Sequence, residues 1–298
     1  LFSVVNHPTY FVADIGANHD ADLSRALKLI ELAAEAGADA VKFQTFRAQD
    51  IVSEYGFLIL GQHGHQAKWK EGVVPVYEKY SMNWYWIPTL AGKAKECGID
   101  FFSTQYDIEA VDTLEAYVPC YKIGSGDITH VQLIEAVARK GKPVFLACGA
   151  SDMADVIRAM SILEMYPVPI VLMQCNTNYT GEDSTIVPNS NLNTLSMFRA
   201  LYGKWGNVEF GLSDHTRSDI TVLGAVALEA RFIEKHFTDD RSREGPDHGF
   251  SLEPSEWKNM VKRVRLLESA LGDGIKKVEE DEIETHVIQR RCIRAKTD

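Results

Sequence analysis

Eight short apolar runs alternate along the chain with helix-like stretches, and each run ends in polar or ionisable side chains. Most runs are rich in Val, Ile, Phe or Tyr, and they cover residues 11–17, 39–45, 100–105, 120–127, 143–149, 170–177, 208–215 and 232–238. This alternation predicts an α/β fold, a closed (β/α)8 TIM barrel. In such a barrel the C-terminal ends of the strands converge on one mouth, so residues far apart in sequence share one pocket.

Two of the helix-like stretches have clear apolar stripes. The first has the spacing i, i+3, i+4, i+7 and ends at Gly37; its apolar residues are Leu23, Ala26, Leu27, Ile30 and Ala34. The last begins at Pro254 and ends at Gly272; its stripe is Trp257, Met260, Val261, Val264, Leu267 and Leu271. The last helix is expected to pack on the outside of the barrel.

The segment 51–87 is longer than a barrel connection needs. It follows the second strand and is dense in aromatic residues, namely Tyr55, Phe57, Trp69, Tyr77, Tyr80, Trp84, Tyr85 and Trp86. A long loop at the catalytic face predicts a lid or a wall on which a sugar stacks. An accessory helical hairpin or a subunit interface is the alternative. We expect one barrel domain over residues 1–285, including this segment.

Composition narrows the function class. The chain of 298 residues has 42 acidic and 31 basic side chains, a formal charge of −11, which argues against a nucleic-acid or anionic membrane surface as partner. We find no apolar run of membrane-spanning length and no signal peptide, so a cytoplasmic location is expected. The five cysteines form no C-x-x-C pair, which argues against disulfides and a zinc knuckle.

Two histidines at neighbouring strand ends form a candidate metal site. His215 and His236 follow the seventh and eighth runs, and adjacent strands lie roughly 4.8 Å apart, so both imidazoles can share one divalent cation. Water or a carboxylate such as Asp14 or Asp247 would complete the shell, which favours manganese, magnesium, iron or cobalt over structural zinc. Two unrelated polar residues at strand ends are the alternative.

Two lysines near strand ends form a candidate anion site. Lys42 and Lys122 are accompanied by the hydroxyls of Thr104, Ser125 and Ser213. Lysine supplies a point charge, and hydroxyls and glycine-flanked amides donate hydrogen bonds, so this set predicts a phosphate or carboxylate cradle. A lysine in a barrel strand can instead form a Schiff base with a carbonyl substrate.

The remaining candidates are acids and a histidine. Asp127 and Glu234 are candidate acid/base groups, with an orienting or capping role as the alternative. Asp247 can bind sugar hydroxyls. His19 either lines the site or caps the next helix.

Six motifs together resemble the sialic acid synthases, which condense phosphoenolpyruvate with an N-acylated mannosamine-type sugar. The order of the motifs matches over nearly the whole chain: Ala-Asp-Ile-Gly-Ala-Asn-His at 13–19, Ala-Asp-Ala-Val-Lys-Phe-Gln at 38–44, Tyr-Lys-Ile-Gly-Ser-Gly-Asp at 121–127, Gly-Leu-Ser-Asp-His-Thr at 211–216, Ile-Glu-Lys-His-Phe-Thr at 233–238 and Gly-Pro-Asp-His at 245–248.

The resemblance implies a role for each candidate. It implies that phosphoenolpyruvate is bound by Lys42, Thr104, Lys122, Ser125 and Ser213. It implies that the acceptor sugar is contacted by Gln44, Tyr179 and Asp247. It also implies a metal at His215 and His236, which is expected to be Mn²⁺, with Mg²⁺ or Co²⁺ as alternatives. Asp127 matches an acidic active-site position. The resemblance also implies a homodimer, with residues 286–298 beginning a linker to a C-terminal antifreeze-like domain.

The chain departs from the family pattern at the ends of the third, fifth and sixth strands. Ala147-Cys148-Gly149 stands where Ser-Thr-Gly is usual, Gln105 replaces a proline, and Gln-Cys-Asn-Thr-Asn-Tyr-Thr occupies 174–180. One expected phosphate hydroxyl is therefore absent. The departures indicate an altered sugar or weaker phosphate binding, with Cys148 or Ser151 partly compensating. The alternative functions are a related aldose-phosphate synthase and a non-catalytic sugar-binding relative.

Overall fold

Eight parallel strands close into a barrel in their order along the chain, and the first strand pairs with the last. The computed structural model describes residues 8–56, 72–291, 293 and 296. The strands are β1 Tyr10–Asp14, β2 Ala40–Thr45, β3 Asp100–Gln105, β4 Tyr121–Ile123, β5 Val144–Ala147, β6 Ile170–Cys175, β7 Val208–Asp214 and β8 Phe232–His236. The predicted TIM barrel is confirmed.

Helices follow the strands on the outside of the barrel. In chain order they are α1 Leu23–Glu35, α2 Ala48–Ile51, α3 Val73–Tyr80, α4 Ile87–Glu96, α5 Ile108–Leu114, α6 Val131–Arg139, α7 Met153–Glu164, α8 Asp183–Ile186, α9 Thr194–Tyr202, α10 Ile220–Ala227, α11 Pro254–Leu271 and α12 Ile283–Ile288. Within the described part of the chain, none of them has both the length and the apolar character needed to cross a membrane.

The two helices predicted from apolar stripes form as expected. Asp22 caps α1 by accepting hydrogen bonds from the amides of Ser24 and Arg25, which satisfies amides that the first turn leaves without partners. In α11 the stripe residues Trp257 and Met260 are fully buried against the barrel. The helix ends at Gly272, whose φ of +63° favours glycine.

Aromatic rings fill the barrel beneath its mouth. The ring centroids of Phe102 and Phe145 are 5.5 Å apart, and those of Phe145 and Phe232 are 5.2 Å apart. Side chains alternate across a strand. Thr104 follows Phe102 by two residues on β3, and Glu234 follows Phe232 by two residues on β8, so both point into the same barrel interior. The apolar layer therefore supports a layer of polar side chains above it.

Six of the eight strands are shorter at their C-terminal ends than the sequence predicts, whereas β2 and β3 end at the predicted residues. β4 ends at Ile123 rather than at 127, because the chain turns there and Ser125–Asp127 form a 3-10 helix. β1 ends at Asp14 rather than at 17, and Gly16 adopts a φ of +51°. Both changes bend the chain at the rim of the mouth.

The described part of the segment 51–87 reaches across the barrel mouth. Trp84–Trp86 form a 3-10 helix after α3, and the Tyr80 hydroxyl donates a hydrogen bond to the carbonyl oxygen of Glu244, 3.4 Å away. This contact joins the end of α3 to the connection after β8. Phe57 and Trp69 lie outside the described residues, as does Cys292, and the expected linker at 286–298 is described only in part.

Asp214 on β7 and Lys235 on β8 point away from the barrel interior and form a buried ion pair on its outer side. The Nζ of Lys235 lies 2.6 Å from Oδ2 of Asp214, and the hydroxyls of Thr216 and Thr221 donate to the same carboxylate oxygen. Burial raises the pKa of Asp214, but Lys235 and these hydroxyls outweigh it and leave the pKa below its ordinary value. The pair ties β7 and β8 to the N-terminal end of α10.

Replacing Lys235 with methionine should lower the free energy of unfolding by about 3–5 kcal/mol, because it leaves the Asp214 carboxylate buried without its counterion. Denaturant unfolding measures the change. The exposed pair of Lys28 and Glu31 supplies the control, since Lys28→Met should cost less than about 1 kcal/mol. A loss for Lys235→Met no larger than the control's would contradict the role given to this pair.

Candidate active site

One cavity at the C-terminal mouth of the barrel brings together every residue predicted for the site. Its volume is about 290 Å³. The predicted residues on its walls are Lys42, Gln44, Thr104, Lys122, Ser125, Asp127, Tyr179, Ser213, His215, Glu234, His236 and Asp247. Their individual roles stay predictions, but their convergence from six strand ends is a feature of the structure.

The floor of the cavity is a network of buried charges. Lys42 Nζ lies 2.7 Å from Oδ2 of Asp14 and 3.2 Å from the hydroxyl of Thr104. Lys122 Nζ lies 2.9 Å from Oε1 of Glu234. Because the four charged side chains are all at most 4% exposed, each depends on its partner for compensation of its lost hydration.

Strand register explains why these side chains meet. Asp14 on β1 pairs with Lys42 on one side and with His236 on the other. Ser213 on β7 pairs with Glu234 on β8, and its hydroxyl donates to Oε1 of Glu234 at 3.1 Å. Side chains at one level of neighbouring strands therefore form one connected layer.

The network sets the charge of its members. Burial raises the pKa of Glu234, but Lys122 and Lys42 outweigh it and lower the pKa to about 2. Burial lowers the pKa of Lys42, but Asp14 and Glu234 outweigh it and raise the value above its ordinary range. Glu234 is therefore ionised and Lys42 protonated at neutral pH.

The two histidines face each other across the end of the network. Their ring centroids are 5.5 Å apart. His215 Nδ1 lies 2.7 Å from the carbonyl oxygen of Asn176, and since a carbonyl only accepts, Nδ1 carries the proton and Nε2 the lone pair. Burial lowers the pKa of each histidine to about 4, so both are neutral at pH 7, the form that binds metals.

The donor set fits a divalent cation with an incomplete protein shell. His236 Nδ1, Asp14 Oδ1 and Glu234 Oε2 are buried without a hydrogen-bond partner among the described residues. The described chain contains no group of three or more His, Cys, Asp or Glu side chains arranged to hold a metal. A cation here would take two imidazoles from the protein and its other ligands from water or substrate oxygens.

Asp127 lies in the turn after β4. Burial raises its pKa to about 6, and His130 only partly opposes this. A carboxyl group with such a pKa exists in both protonation states near neutral pH. It can therefore accept or donate a proton within the cavity.

Asp247 is held at the opposite side of the mouth by the backbone after β1. Its Oδ2 accepts a hydrogen bond from the Ala17 amide at 2.9 Å and lies 3.9 Å from His236 Nδ1. A Cβ on Gly16 would come within 2.6 Å of the same oxygen, so only glycine fits there. Asp247 thus lies between the rim and the candidate metal site.

Two aromatic wall residues, Phe46 and Tyr106, were not predicted, whereas Tyr77 and Tyr80 belong to the segment 51–87 that was predicted as a lid or wall. Tyr179 was predicted, and its ring lies 4.4 Å from that of His215. Tyr106 also lines the cavity, and so do Tyr77 and Tyr80 of α3. Tyr106 directly follows β3, so its position at a strand end was the signal that could have identified it.

Other singled-out residues serve the fold instead. His19 Nδ1 accepts from the Ala21 amide at 3.0 Å, in the turn before α1. His19 is not among the residues that line the cavity, and Asp22 rather than His19 caps the helix. The Cys148 thiol donates to the Met173 carbonyl, and Ser151 donates to the Cys148 carbonyl. Neither Cys148 nor Ser151 lines the cavity, so neither substitutes for the missing hydroxyl.

The amino-acid sequence is similar to those of known synthases. A profile described as the NeuB family matches residues 29–276. The N,N'-diacetyllegionaminic acid synthase of Campylobacter jejuni is 35% identical over 294 residues, 97% of this chain and 85% of that protein. Human N-acetylneuraminate-9-phosphate synthase is 31% identical over 273 residues, 91% of this chain and 74% of that protein.

A solved structure extends the similarity to the fold. The N-acetylneuraminic acid synthetase of Leptospira borgpetersenii superposes with a TM-score of 0.81 at 28% identity, covering 96% of this chain and 94% of that chain.

Asp127→Asn should stabilise the protein increasingly between pH 4 and pH 7. The folded protein binds the Asp127 proton more tightly than the unfolded chain, so the wild type loses stability as pH rises from the ordinary pKa of 3.8 to about 6. The gain should reach about 1–3 kcal/mol at pH 7, since one pKa unit is about 1.4 kcal/mol. Unfolding of both proteins across this pH range measures it.

Asp281→Asn, at an exposed position in the segment after α11, is the matched control and should show little dependence on pH. A gain for Asp127→Asn that is equal at pH 4 and pH 7 would refute burial of the charge as its cause.

Proposed function

The chain belongs to the NeuB family, and from this premise we propose that it condenses phosphoenolpyruvate with an N-acylated mannosamine-type sugar. The products are a sialic-acid-like nonulosonate and phosphate. The chain is an enzyme of the synthase type that forms carbon–carbon bonds. The observation that carries the proposal is the single cavity that combines Lys42 and Lys122 with two neutral histidines.

The floor of the cavity is proposed to bind phosphoenolpyruvate. Lys42 and Lys122 would face its anionic groups, and the hydroxyls of Thr104, Ser125 and Ser213 would donate hydrogen bonds to its oxygens. Asp14 pairs with Lys42 and Glu234 pairs with Lys122, so both lysines are held in position before the substrate arrives. The site is therefore organised in advance, which lowers the cost of binding.

A divalent cation is proposed at His215 and His236, with manganese as the first candidate and magnesium or cobalt as alternatives. When bound, the cation would polarise the aldehyde of the open-chain sugar and make its carbon electrophilic. The Asn176 carbonyl fixes the tautomer of His215, and this kind of contact holds metal-binding imidazoles in orientation.

The acids are proposed to have different roles. The new bond joins the methylene carbon of phosphoenolpyruvate to the aldehyde carbon; water then adds at the former enol carbon, and phosphate leaves with cleavage of its C–O bond. Asp127, with a pKa of about 6, can transfer the protons that these steps require. Glu234 stays ionised, so it positions Lys122 and Ser213 rather than donating a proton.

Gln44, Tyr179 and Asp247 are proposed to contact the acceptor sugar. They lie around the cavity on or after β2, β6 and β8. An amide, a phenol and a carboxylate can all bond to sugar hydroxyls or N-acyl groups. The ring of Tyr179 also gives the sugar an apolar face to pack on.

A homodimer remains part of the proposal. In the segment after α11, apolar side chains are exposed, including Ile283, Val287 and Ile288 at 58%, 74% and 79%. Contiguous exposed apolar residues are typical of an interaction surface. We propose that a second copy of the chain, together with a C-terminal antifreeze-like domain, covers this surface.

The proposed reaction should be detected as phosphate release that requires phosphoenolpyruvate, an N-acylated mannosamine-type sugar and a divalent cation together. Colorimetric phosphate measurement with manganese, and then with chelator followed by added manganese, tests each requirement. Binding of phosphoenolpyruvate without release on any acceptor would favour a non-catalytic relative. Release only with aldose phosphates lacking an N-acyl group would favour the related synthase.

His215→Ala and His236→Ala should each lower kcat/KM for phosphate release at least about 100-fold, because each removes one of two proposed protein ligands. Manganese binding, followed by calorimetry without substrates, should weaken in parallel. Lys28→Met on α1, at an exposed position outside the cavity, is the control and should leave both quantities unchanged. Unaltered manganese binding in both active-site variants would contradict the assignment.

A further inference from the structure

The strand β4, which carries Lys122, has the weakest ladder support in the barrel. It is three residues long, Tyr121–Ile123, and its ladder with β3 has one paired position, Thr104 with Lys122. Every other pair of neighbouring strands has at least three paired positions. Since paired positions restrain a strand against its neighbour, the main chain at Lys122 is only weakly restrained on its β3 side.

The side chain of Gln105 adds a restraint at this position. Gln105 is the last residue of β3 and is fully buried, and its Nε2 donates a hydrogen bond to the carbonyl oxygen of Lys122 at 2.8 Å. A proline, which Gln105 replaces in the family pattern, has no donor for such a bond. Gln105 does not line the cavity, so its effect on the site passes through Lys122.

The Gln105 amide is otherwise poorly matched to its surroundings. Its Oε1 is buried without a hydrogen-bond partner among the described residues, and a buried oxygen without a partner costs free energy. An apolar side chain of the same size would avoid that cost. The amide therefore adds little to the net stability of the fold, and its distinctive contribution is the donor directed at Lys122.

Lys122 is restrained at both of its ends. Its Nζ lies 2.9 Å from Oε1 of Glu234, and its carbonyl oxygen accepts from Gln105. An anion that binds the ammonium competes with Glu234 for the three N–H donors, whereas the bond to the main chain is unaffected. The position of the main chain then limits where the ammonium can meet the anion.

The turn after β4 has an anchor of its own. Ser125 and Asp127 lie in the 3-10 helix that follows β4. The Gly149 amide, after β5, donates a hydrogen bond to the Ser125 hydroxyl at 2.9 Å. Loss of the Gln105 bond is therefore expected to act mainly on Lys122 and much less on this turn.

We infer that Gln105 is a positioning residue for the anion site: its side-chain amide fixes the main chain of Lys122 and so strengthens the binding of phosphoenolpyruvate. The inference rests on the proposed function and adds to it a residue outside the cavity. It also gives a physical role to the glutamine that replaces proline at the end of β3.

Gln105→Met tests the inference, because methionine has a similar shape and no donor. KM and the calorimetric Kd for phosphoenolpyruvate should rise about three- to tenfold, the range expected from loss of one hydrogen bond. The value of kcat and the KM of the acceptor sugar should change less than about twofold, since the lost interaction is the same in the ground and transition states. Gln105→Leu, also without a donor, should give the same result. Unchanged KM for phosphoenolpyruvate in both variants would overturn the inference, and so would a fall in kcat alone.

Thr45→Val is the matched control. Thr45 pairs with Gln105 in the β2–β3 ladder and is fully buried, and its hydroxyl shares a hydrogen bond of 2.7 Å with that of Ser103. The valine should lower the denaturant midpoint more than Gln105→Met does, because it leaves the Ser103 hydroxyl buried without a partner. It should leave KM for phosphoenolpyruvate unchanged. A rise in KM that follows the loss of stability in both variants would assign Gln105 a structural role only.

Hydrogen–deuterium exchange of the free protein tests the anchor without substrate. Amides in the segment 121–124 should exchange at least about tenfold faster in Gln105→Met than in the wild type, because local opening costs less free energy, and Thr45→Val should leave them within about twofold. A wild type that neither binds nor turns over phosphoenolpyruvate would refute the proposed function. Exchange would then decide the anchor by itself, and equal rates in Gln105→Met and the wild type would overturn it.

Discussion

The mutual compensation of buried charges at the barrel mouth is the constraint on which the site depends. Asp14, Lys42, Lys122 and Glu234 have given up nearly all contact with water, and none of them is tolerable there alone. Each restrains the others, because a shift of one would leave a partner without its counterion. Burial of the apolar barrel beneath this group offsets the free-energy cost of removing its charges from water. The charges of the cavity are therefore fixed in place before any substrate binds.

The layer of site residues could be predicted from sequence because the geometry of a strand is strict. Ser213 and His215, or Glu234 and His236, must point the same way since they are two residues apart, and strand ends in a barrel meet at one mouth. The pairing of Asp14 with Lys42 was not predicted, because it depends on the register of β1 against β2. Hydrophobic periodicity does not determine register to one residue.

The walls could be predicted far less well than the floor. Tyr77, Tyr80 and Val76 reach the cavity because α3 crosses the mouth, and the path of a long connection follows from tertiary contacts such as that of Tyr80 with Glu244 rather than from local pattern. The turn after β4 was read as strand because its residues follow an apolar run without a break. Such turns depend on backbone hydrogen bonds that the sequence does not display.

Side chains along β7 and β8 point alternately into and out of the barrel, so neighbouring residues have different roles. Ser213 and Glu234 face the cavity, whereas Asp214 and Lys235, one position further on, form the ion pair behind the barrel. Insertion or deletion of a single residue within either strand would exchange the two sets and bring the wrong charges to both places. These strands can therefore evolve by substitution but not by change of length, and variation in length in this family is expected in the connections between strands.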